Sequence, residues 1–158
     1  MVKVTNEFLG RLRDPIDWKD IRFAYAHQLI DGQTVRDHAW RMLSESGCDN
    51  ENIIAIAAAK DNDPMGPIID RVAGLGEPTP DIIRKWALII AAFISESNVS
   101  DKLEAIEEVY SSFDYPEELA GMVRYMPIIG PSLGNKAANE GRMLNSLKEL
   151  SAKILGTG

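Results

Sequence analysis

The chain has 158 residues, of which 45% are apolar and 26% are charged. This composition is typical of a globular protein, and the length suits one domain that buries roughly 68–70% of the surface of the unfolded chain. The net charge of −7 argues against nucleic acid or anionic lipid as a ligand, because both require a basic protein surface.

The sequence favours a cytoplasmic location. Its first residues lack the basic-then-apolar order of a secretory signal. The longest apolar run, Trp86 to Ile94, has nine residues, whereas a membrane span needs about 20. Cys48 is the only cysteine, which excludes an internal disulfide and fits a reducing compartment. We interpret it as a small structural or surface residue and expect no binding to membranes.

The first half of the sequence predicts four helices. Asp17 and Asn50 are suitable N-caps for the first and third, because their side chains can accept hydrogen bonds from backbone N–H groups of the first turn. Before the fourth helix, Asp63 resembles a cap with Pro64 at the first helical position. The four helices run from Asp17 to a stop at 31–32, from about Thr34 to a stop at Gly47, from Glu51 to Lys60, and through 68–75.

The fifth predicted helix is the clearest. Thr79 is a good N-cap, Pro80 is tolerated at the first helical position, and Asp81 complements the helix dipole. From 82 to 94 the sequence is apolar nearly all round, so we expect a central helix that packs on several sides. A polar break is predicted at 95–100.

Three further helices complete the prediction. The sixth, from about Asp101 to Ser112, is amphipathic, and the eighth runs from near Lys136 to Leu155. Between them, Pro116 starts a seventh helix at its first position, and Asp114 can cap it. The inner stripe of the sixth helix comprises Leu103, Ile106, Val109, Tyr110 and Phe113, and its outer stripe comprises Glu104, Glu107, Glu108 and Ser111.

These elements predict an all-α fold, an irregular bundle or compact α-α array of about eight short helices. We expect a single helical domain over residues 1–158, in which short links join antiparallel neighbours. No strict repeat period indicates a solenoid. A small strand near Val2–Val4 or Ile128–Ile129 is left open.

The sequence shows no recognisable catalytic, metal or cofactor motif. His27 and His38 fall in separate predicted helices, without a nearby Cys or His to complete a metal-ligand pattern. Helical spacing favours core positions for Trp18, Trp40 and Trp86 over a ligand pocket. We therefore expect a protein that is not an enzyme and uses no cofactor or metal. An enzyme on an unrecognised helical scaffold ranks third, behind two kinds of binding protein.

Acidic residues are concentrated between Glu96 and Glu118, where eight carboxylates accompany one base, Lys102, and the local net charge is −7. One interpretation is structural, because the outer faces of amphipathic helices are commonly charged. The other is a binding surface for a basic protein, which such a charge would steer during association. The candidate partner-binding residues are Glu104, Glu107, Glu108, Asp114, Glu117 and Glu118.

The run from Val109 to Glu118, which contains Tyr-Ser-Ser-Phe-Asp-Tyr-Pro-Glu-Glu, is followed by Val-Arg-Tyr-Met-Pro at 123–127. This block resembles a bacterial family of unknown function, and the similarity covers roughly residues 15–127. Met122 departs from the family pattern, which has phenylalanine there. The block also has a structural interpretation, in which Phe113, Tyr115 and Tyr125 pack around a turn and Arg124 pairs with a carboxylate of the acidic helix.

The resemblance implies no enzyme activity. Small acidic proteins of this kind are similar to immunity proteins of contact-dependent growth inhibition systems. The resemblance therefore implies a non-catalytic immunity protein that binds and neutralises a cognate basic toxin domain, such as a nuclease. The alternative is a helical adaptor or regulatory protein-interaction domain unrelated to toxins.

Overall fold

The computed structural model describes residues 3–45, 47, 49–60, 63–74, 76–124 and 136–156. Within these ranges the chain forms nine α-helices and no strand, which confirms the all-α prediction. The predictions that concern Val2, Cys48, Leu75 and residues 125–131 lie outside the described residues. The helices are α1 (Asn6–Leu9), α2 (Trp18–Ala26), α3 (Gly32–Glu45), α4 (Glu51–Ala57), α5 (Gly66–Ala73), α6 (Pro80–Glu96), α7 (Lys102–Ser112), α8 (Glu117–Ala120) and α9 (Lys136–Leu155).

The chain divides into two compact units. The first comprises residues 1–10 and 15–82, and the second comprises residues 11–14 and 83–158. The expectation of one domain stays a prediction. None of the described helices is both long and apolar enough to cross a membrane.

In the first unit, α2 begins with a reciprocal cap. The Asp17 carboxylate accepts from the Asp20 backbone N–H at 2.9 Å, and the Asp20 carboxylate accepts from the Asp17 N–H at 3.0 Å. The helix ends at Ala26, earlier than predicted, because Gln28 adopts a left-handed conformation with φ of 59°. Leu29 is nonetheless buried.

The starts of the next three helices differ in how well the sequence predicts them. Asp31 caps α3 by accepting from the Thr34 N–H at 2.8 Å, so α3 begins two residues before Thr34. Asn50 caps α4 as predicted, through the Asn52 N–H at 2.9 Å. The predicted cap at Asp63 is wrong, because its carboxylate accepts from the Lys60 N–H at 2.8 Å and closes the preceding loop. Helix α5 begins only at Gly66.

Helix α6 has the start and the burial that the sequence predicts. The Thr79 hydroxyl accepts from the Ile82 N–H at 3.2 Å. Trp86 has none of its surface exposed, and Ile90 and Ile94 are also buried. The helix continues to Glu96 and includes the first two residues of the predicted polar break. Trp86 is thus a core residue, as expected.

The other two tryptophans are less buried than Trp86. Trp40 is 57% exposed, so its predicted core position is wrong. Val35 and Ala39 are fully buried on α3, and position 40 lies well away from both around the helix axis. Trp18 is half-buried, and its ring meets the ring of His38 edge-on with centroids 5.1 Å apart.

Candidate functional site

Helix α7 supplies two outward carboxylates of the predicted partner-binding set. Asp101 caps the helix by accepting from the Glu104 N–H at 3.1 Å, and this bond is the main reason that the pKa of Asp101 is lowered. Every residue of the predicted inner stripe is buried, so the opposite side of the helix faces solvent. Glu104 and Glu108 are consequently exposed.

Glu107 does not point freely outward as the spacing predicts. Its Oε1 accepts from the Arg124 Nε at 2.9 Å and from the Arg124 backbone N–H at 3.3 Å, and its side chain is 22% exposed. The guanidinium also approaches Asp101 at 3.2 Å and Glu140 of α9 at 3.5 Å. The hydrogen bond to Glu107 is the main cause of the raised pKa of Arg124. The predicted pairing of Arg124 with the acidic helix is therefore confirmed, and Glu107 is committed to it.

The turn after α7 carries an exposed aromatic residue that the sequence prediction did not include among the partner-binding residues. Asp114 and Tyr115 have φ of 59° and 55°, a left-handed conformation that is uncommon for residues other than glycine. The Tyr115 N–H donates to the Tyr110 carbonyl at 2.9 Å, and the two rings meet edge-on with centroids 5.3 Å apart. Tyr115 is nevertheless 63% exposed. The turn thus exposes an aromatic residue and, next to it in the sequence, an acidic one, Asp114.

Helix α8 completes the predicted set, with a start that differs from the prediction. Its N-cap is Pro116, which makes no side-chain capping bond, so the predicted cap at Asp114 is wrong. Asp114 lies two positions before the N-cap in a left-handed conformation, which is not the extended conformation of a capping residue. Glu117 is exposed, whereas Glu118 accepts from the Arg84 Nε at 2.9 Å.

Four of the six predicted carboxylates are therefore exposed and form no ion pair within the described chain. We call them, together with Tyr115, the acidic face. Phe113 is buried beneath the turn, as its predicted packing role requires, and Tyr125 lies outside the described residues. The carboxylates of the acidic face are Glu104, Glu108, Asp114 and Glu117.

The second unit as a whole is nearly neutral. It contains eleven Asp and Glu residues and ten Lys and Arg residues, a net charge of −1, whereas the first unit carries −6. Basic residues before and after the acidic segment 96–118 offset its negative charge, and Arg84 and Arg124 form ion pairs with two of its glutamates. The acidic face therefore acts at short range, and any long-range steering of a partner depends on the whole chain.

The two histidines lie in the first unit, one buried and one exposed. His38 is 9% exposed on α3, and burial, followed by the charge of Arg41, lowers its pKa to about 4. His27 is exposed and stacks at a tilt on Phe23, with ring centroids 4.4 Å apart. Among the described residues, no three His, Cys, Asp or Glu side chains are grouped so that they could hold a metal ion.

A cavity of about 300 Å³ lies in the first unit, with Lys19, Arg22 and His27 in its lining. The Arg22 guanidinium is engaged, because Nε donates to the Asp70 carboxylate and Nη1 to the Gly76 carbonyl, each at 2.9 Å. Arg22 therefore stabilises the wall, and the cavity receives no functional assignment.

Residues 11–150 match the profile of a bacterial family described as an uncharacterized protein conserved in bacteria, DUF2247. The chain belongs to this family. The match confirms the resemblance seen in the 109–127 block, and it extends beyond residue 127 to include most of α9. No curated protein and no solved structure matches the chain. Membership in DUF2247 brings no known activity with it.

Proposed function

We propose that this DUF2247 protein is a non-catalytic binding protein, and specifically an immunity protein that neutralises a cognate toxin domain with a basic surface. The observation that carries the proposal is the exposure of Tyr115, which lies in the sequence between two exposed acidic residues, Asp114 of the turn and Glu117 at the start of α8. Tyrosine is enriched among the residues that contribute most to protein interfaces, and carboxylates around it favour Lys and Arg on the partner.

The backbone at this turn supports a binding role. A left-handed residue other than glycine costs roughly 1–2 kcal/mol, and two such residues follow one another at Asp114 and Tyr115. Such outliers persist where the surrounding structure enforces them, and they are concentrated at functional sites. A ring held in one place before binding also loses less conformational entropy on contact with a partner.

The immunity assignment adds a biological role to this binding surface. It draws on the similarity in size and acidity to immunity proteins, which need a surface complementary to one toxin and no catalytic residues. A basic nuclease domain would suit the carboxylates of the acidic face. A cytoplasmic location belongs to the same proposal, because a toxin that enters the cell is neutralised there.

A helical adaptor is the second candidate function. The observation that favours it is a further exposed aromatic residue, Trp40, in the first unit, remote in sequence from the acidic face. An adaptor commonly needs two surfaces. The adjacent gene separates the two candidates, since an immunity protein is expected beside a toxin gene and an adaptor is not.

The decisive experiment measures association with the toxin domain encoded by that adjacent gene. A variant with Glu104→Lys, Glu108→Lys and Glu117→Lys reverses three charges of the acidic face. Its control carries Glu7→Lys, Glu77→Lys and Glu149→Lys, which change the net charge equally at other exposed positions.

The proposal predicts that the first variant associates more than about tenfold more slowly and loses protection, while the control keeps most of both. Thermal melts establish that both variants fold. Equal association rates for the two variants would locate the interface elsewhere, and a neighbouring gene that encodes no toxin would favour the adaptor.

A further inference from the structure

The C-terminal end of α2 carries a residue type that its backbone conformation does not favour. The Gln28 N–H donates to the Tyr25 carbonyl at 3.2 Å. The Leu29 N–H donates to the Ala24 carbonyl at 2.8 Å. These bonds form a Schellman motif, in which the position of Gln28 is left-handed and usually occupied by glycine. Gln28 has φ of 59° and is exposed, so a larger side chain is kept where glycine would be less strained. Strained residues of this kind are concentrated at functional sites.

Gln28 lines a cleft of about 720 Å³ in the first unit, a volume within the range of small-molecule sites. Helices α2 and α5 pack against each other, and residues of both helices contribute to the lining. Two buried residues, Ile30 and Ile69, give the lining an apolar part. We call this site the α2–α5 cleft.

The lining of the α2–α5 cleft contains two residues of each charge, and three of the four are engaged. Arg22 donates from Nε to the Asp70 carboxylate at 2.9 Å. The Asp31 carboxylate accepts from the Thr34 N–H at 2.8 Å and from the Thr34 hydroxyl at 2.9 Å. The bond from the Thr34 N–H is the main cause of the lowered pKa of Asp31, to which the charge of Lys3 contributes less. Lys3 is exposed and forms no ion pair with the described part of the chain.

Two further polar side chains of the lining also lack a partner. Tyr25 is half-buried, and neither its hydroxyl nor the Gln28 carboxamide forms a hydrogen bond within the described ranges. With the Lys3 ammonium, they give the cleft three groups that are free to donate, whereas both carboxylates already accept hydrogen bonds. This set suits a ligand with acceptor oxygens. One unengaged positive charge suits a single negative charge on the ligand, because the two carboxylates of the lining oppose a second.

We propose that the α2–α5 cleft binds a small monocarboxylate with an apolar body. Lys3, Tyr25 and Gln28 donate hydrogen bonds to the carboxylate, and the apolar body packs against the buried isoleucines. The proposal is independent of toxin binding, because the cleft belongs to the first unit and the acidic face to the second.

Three compounds with the same apolar chain test the class of ligand. Hexanoate, hexanamide and hexylamine are negative, neutral and positive at neutral pH. The full chain is titrated with each compound, and Kd is obtained from the shifts of its backbone amide signals in NMR spectra. Hexanoate should bind at least about tenfold more tightly than the other two, because a carboxylate accepts stronger hydrogen bonds from an ammonium group.

The variant Gln28→Gly separates a binding role from a structural one. It should raise the urea midpoint of unfolding, because glycine adopts the left-handed conformation without strain, and it should weaken hexanoate binding about tenfold. Gln28→Asn should retain more of the affinity, since it keeps a carboxamide and asparagine tolerates this conformation. Lys3→Gln should also weaken binding about tenfold. The matched control is Lys60→Gln, an exposed lysine of the first unit outside the lining, which should leave Kd unchanged.

Four results would overturn the proposal. Equal binding of hexanoate and hexanamide, or no binding of hexanoate, would exclude a carboxylate site. A Gln28→Gly protein with unchanged Kd would remove the strained residue from the site. Equal losses with Lys3→Gln and Lys60→Gln would show non-specific attraction to lysine. A loss with Lys19→Gln but not with Lys3→Gln would place the carboxylate in the smaller cavity that Lys19 lines.

Discussion

The Arg124 guanidinium donates from Nε to the Glu107 Oε1 across 2.9 Å and so fixes the segment before the undescribed residues 125–135 to the middle of α7. The same arginine contacts the α7 cap at Asp101 and Glu140 on α9. One side chain thus joins three parts of the second unit. Because a carboxylate that accepts two bonds from one residue is difficult to replace, Glu107 has a structural role before any role in binding.

This relationship predicts different effects for adjacent glutamates. Glu107→Gln should lower the urea midpoint of unfolding, because it removes the charge that pairs with Arg124 and weakens both hydrogen bonds. Glu108→Gln should leave the midpoint unchanged, since Glu108 is exposed and makes no ion pair within the described chain. Urea titrations followed by circular dichroism measure both. Equal midpoints for the two variants would show that the Arg124 contacts contribute nothing to stability.

The two tryptophans at opposite extremes of burial give a second prediction. Trp86→Ala should cost about 3–5 kcal/mol of unfolding free energy, as expected when a large aromatic residue is removed from a packed core. Trp40→Ala should change stability by less than about 0.5 kcal/mol, because most of its ring is already in water. Denaturant titrations with a common m value test the contrast. A large loss for Trp40→Ala would mean that its exposed face is covered in solution.

Burial of His38 predicts a dependence of stability on pH. Its pKa is lowered to about 4 in the folded chain, whereas an unfolded histidine has its ordinary value of 6.5. Between these values the unfolded chain binds the additional proton, so stability falls as pH decreases through the window, by about 3 kcal/mol in total. Above pH 6.5 the contribution is fully present.

The measurement is the unfolding free energy at several pH values between 6.5 and 4.5. The lowered pKa values of Asp31, Glu96 and Asp101 add their own losses of stability only near the acid end of this range, because their ordinary values are 3.8 and 4.5. His38→Gln should flatten the profile, and His27→Gln, at an exposed position, should not. A wild-type slope retained by His38→Gln would assign the pH dependence to other groups.

The sequence predicts helices well where local signals mark their ends. Thr79 and Pro80 locate the start of α6, and the last helix spans Lys136–Leu155 as predicted. The end of α2 was placed too late, because Gln28 adopts a glycine-like conformation without being glycine. Helix α8 ends at Ala120, and the burial of Met122 after it shows that an apolar stripe can persist beyond the end of a helix.

The candidate site was predicted in part. Helical spacing correctly placed Glu104 and Glu108 outside, because burial of the inner stripe determines the outer one. It failed for Glu107, since the contact with a residue 17 positions later has no periodic signature. The exposure of Trp40 is not predicted, because helical spacing favours a core position for it, and that of Tyr115 is not predicted, because the sequence favours packing of its ring around the turn. Only a comparison with Val35 and Ala39, whose burial the structure reveals, marks position 40 as exposed.

The final prediction concerns Tyr115 as the centre of the proposed acidic face. Tyr115→Ala should weaken binding of the toxin domain by at least about 2 kcal/mol, or roughly 30-fold in Kd, because aromatic residues at an interface centre commonly contribute this much. Tyr115→Phe should retain most of the affinity if the ring surface dominates, and both variants should fold, since the side chain is 63% exposed. Calorimetric titration gives Kd, and a thermal melt gives the folding control. The single change Glu117→Gln should cost far less, because an isolated exposed ion pair is worth about 0–1 kcal/mol. A folded Tyr115→Ala protein that binds with unchanged Kd would remove the turn from the interface, even if the carboxylates of α7 still affected the association rate.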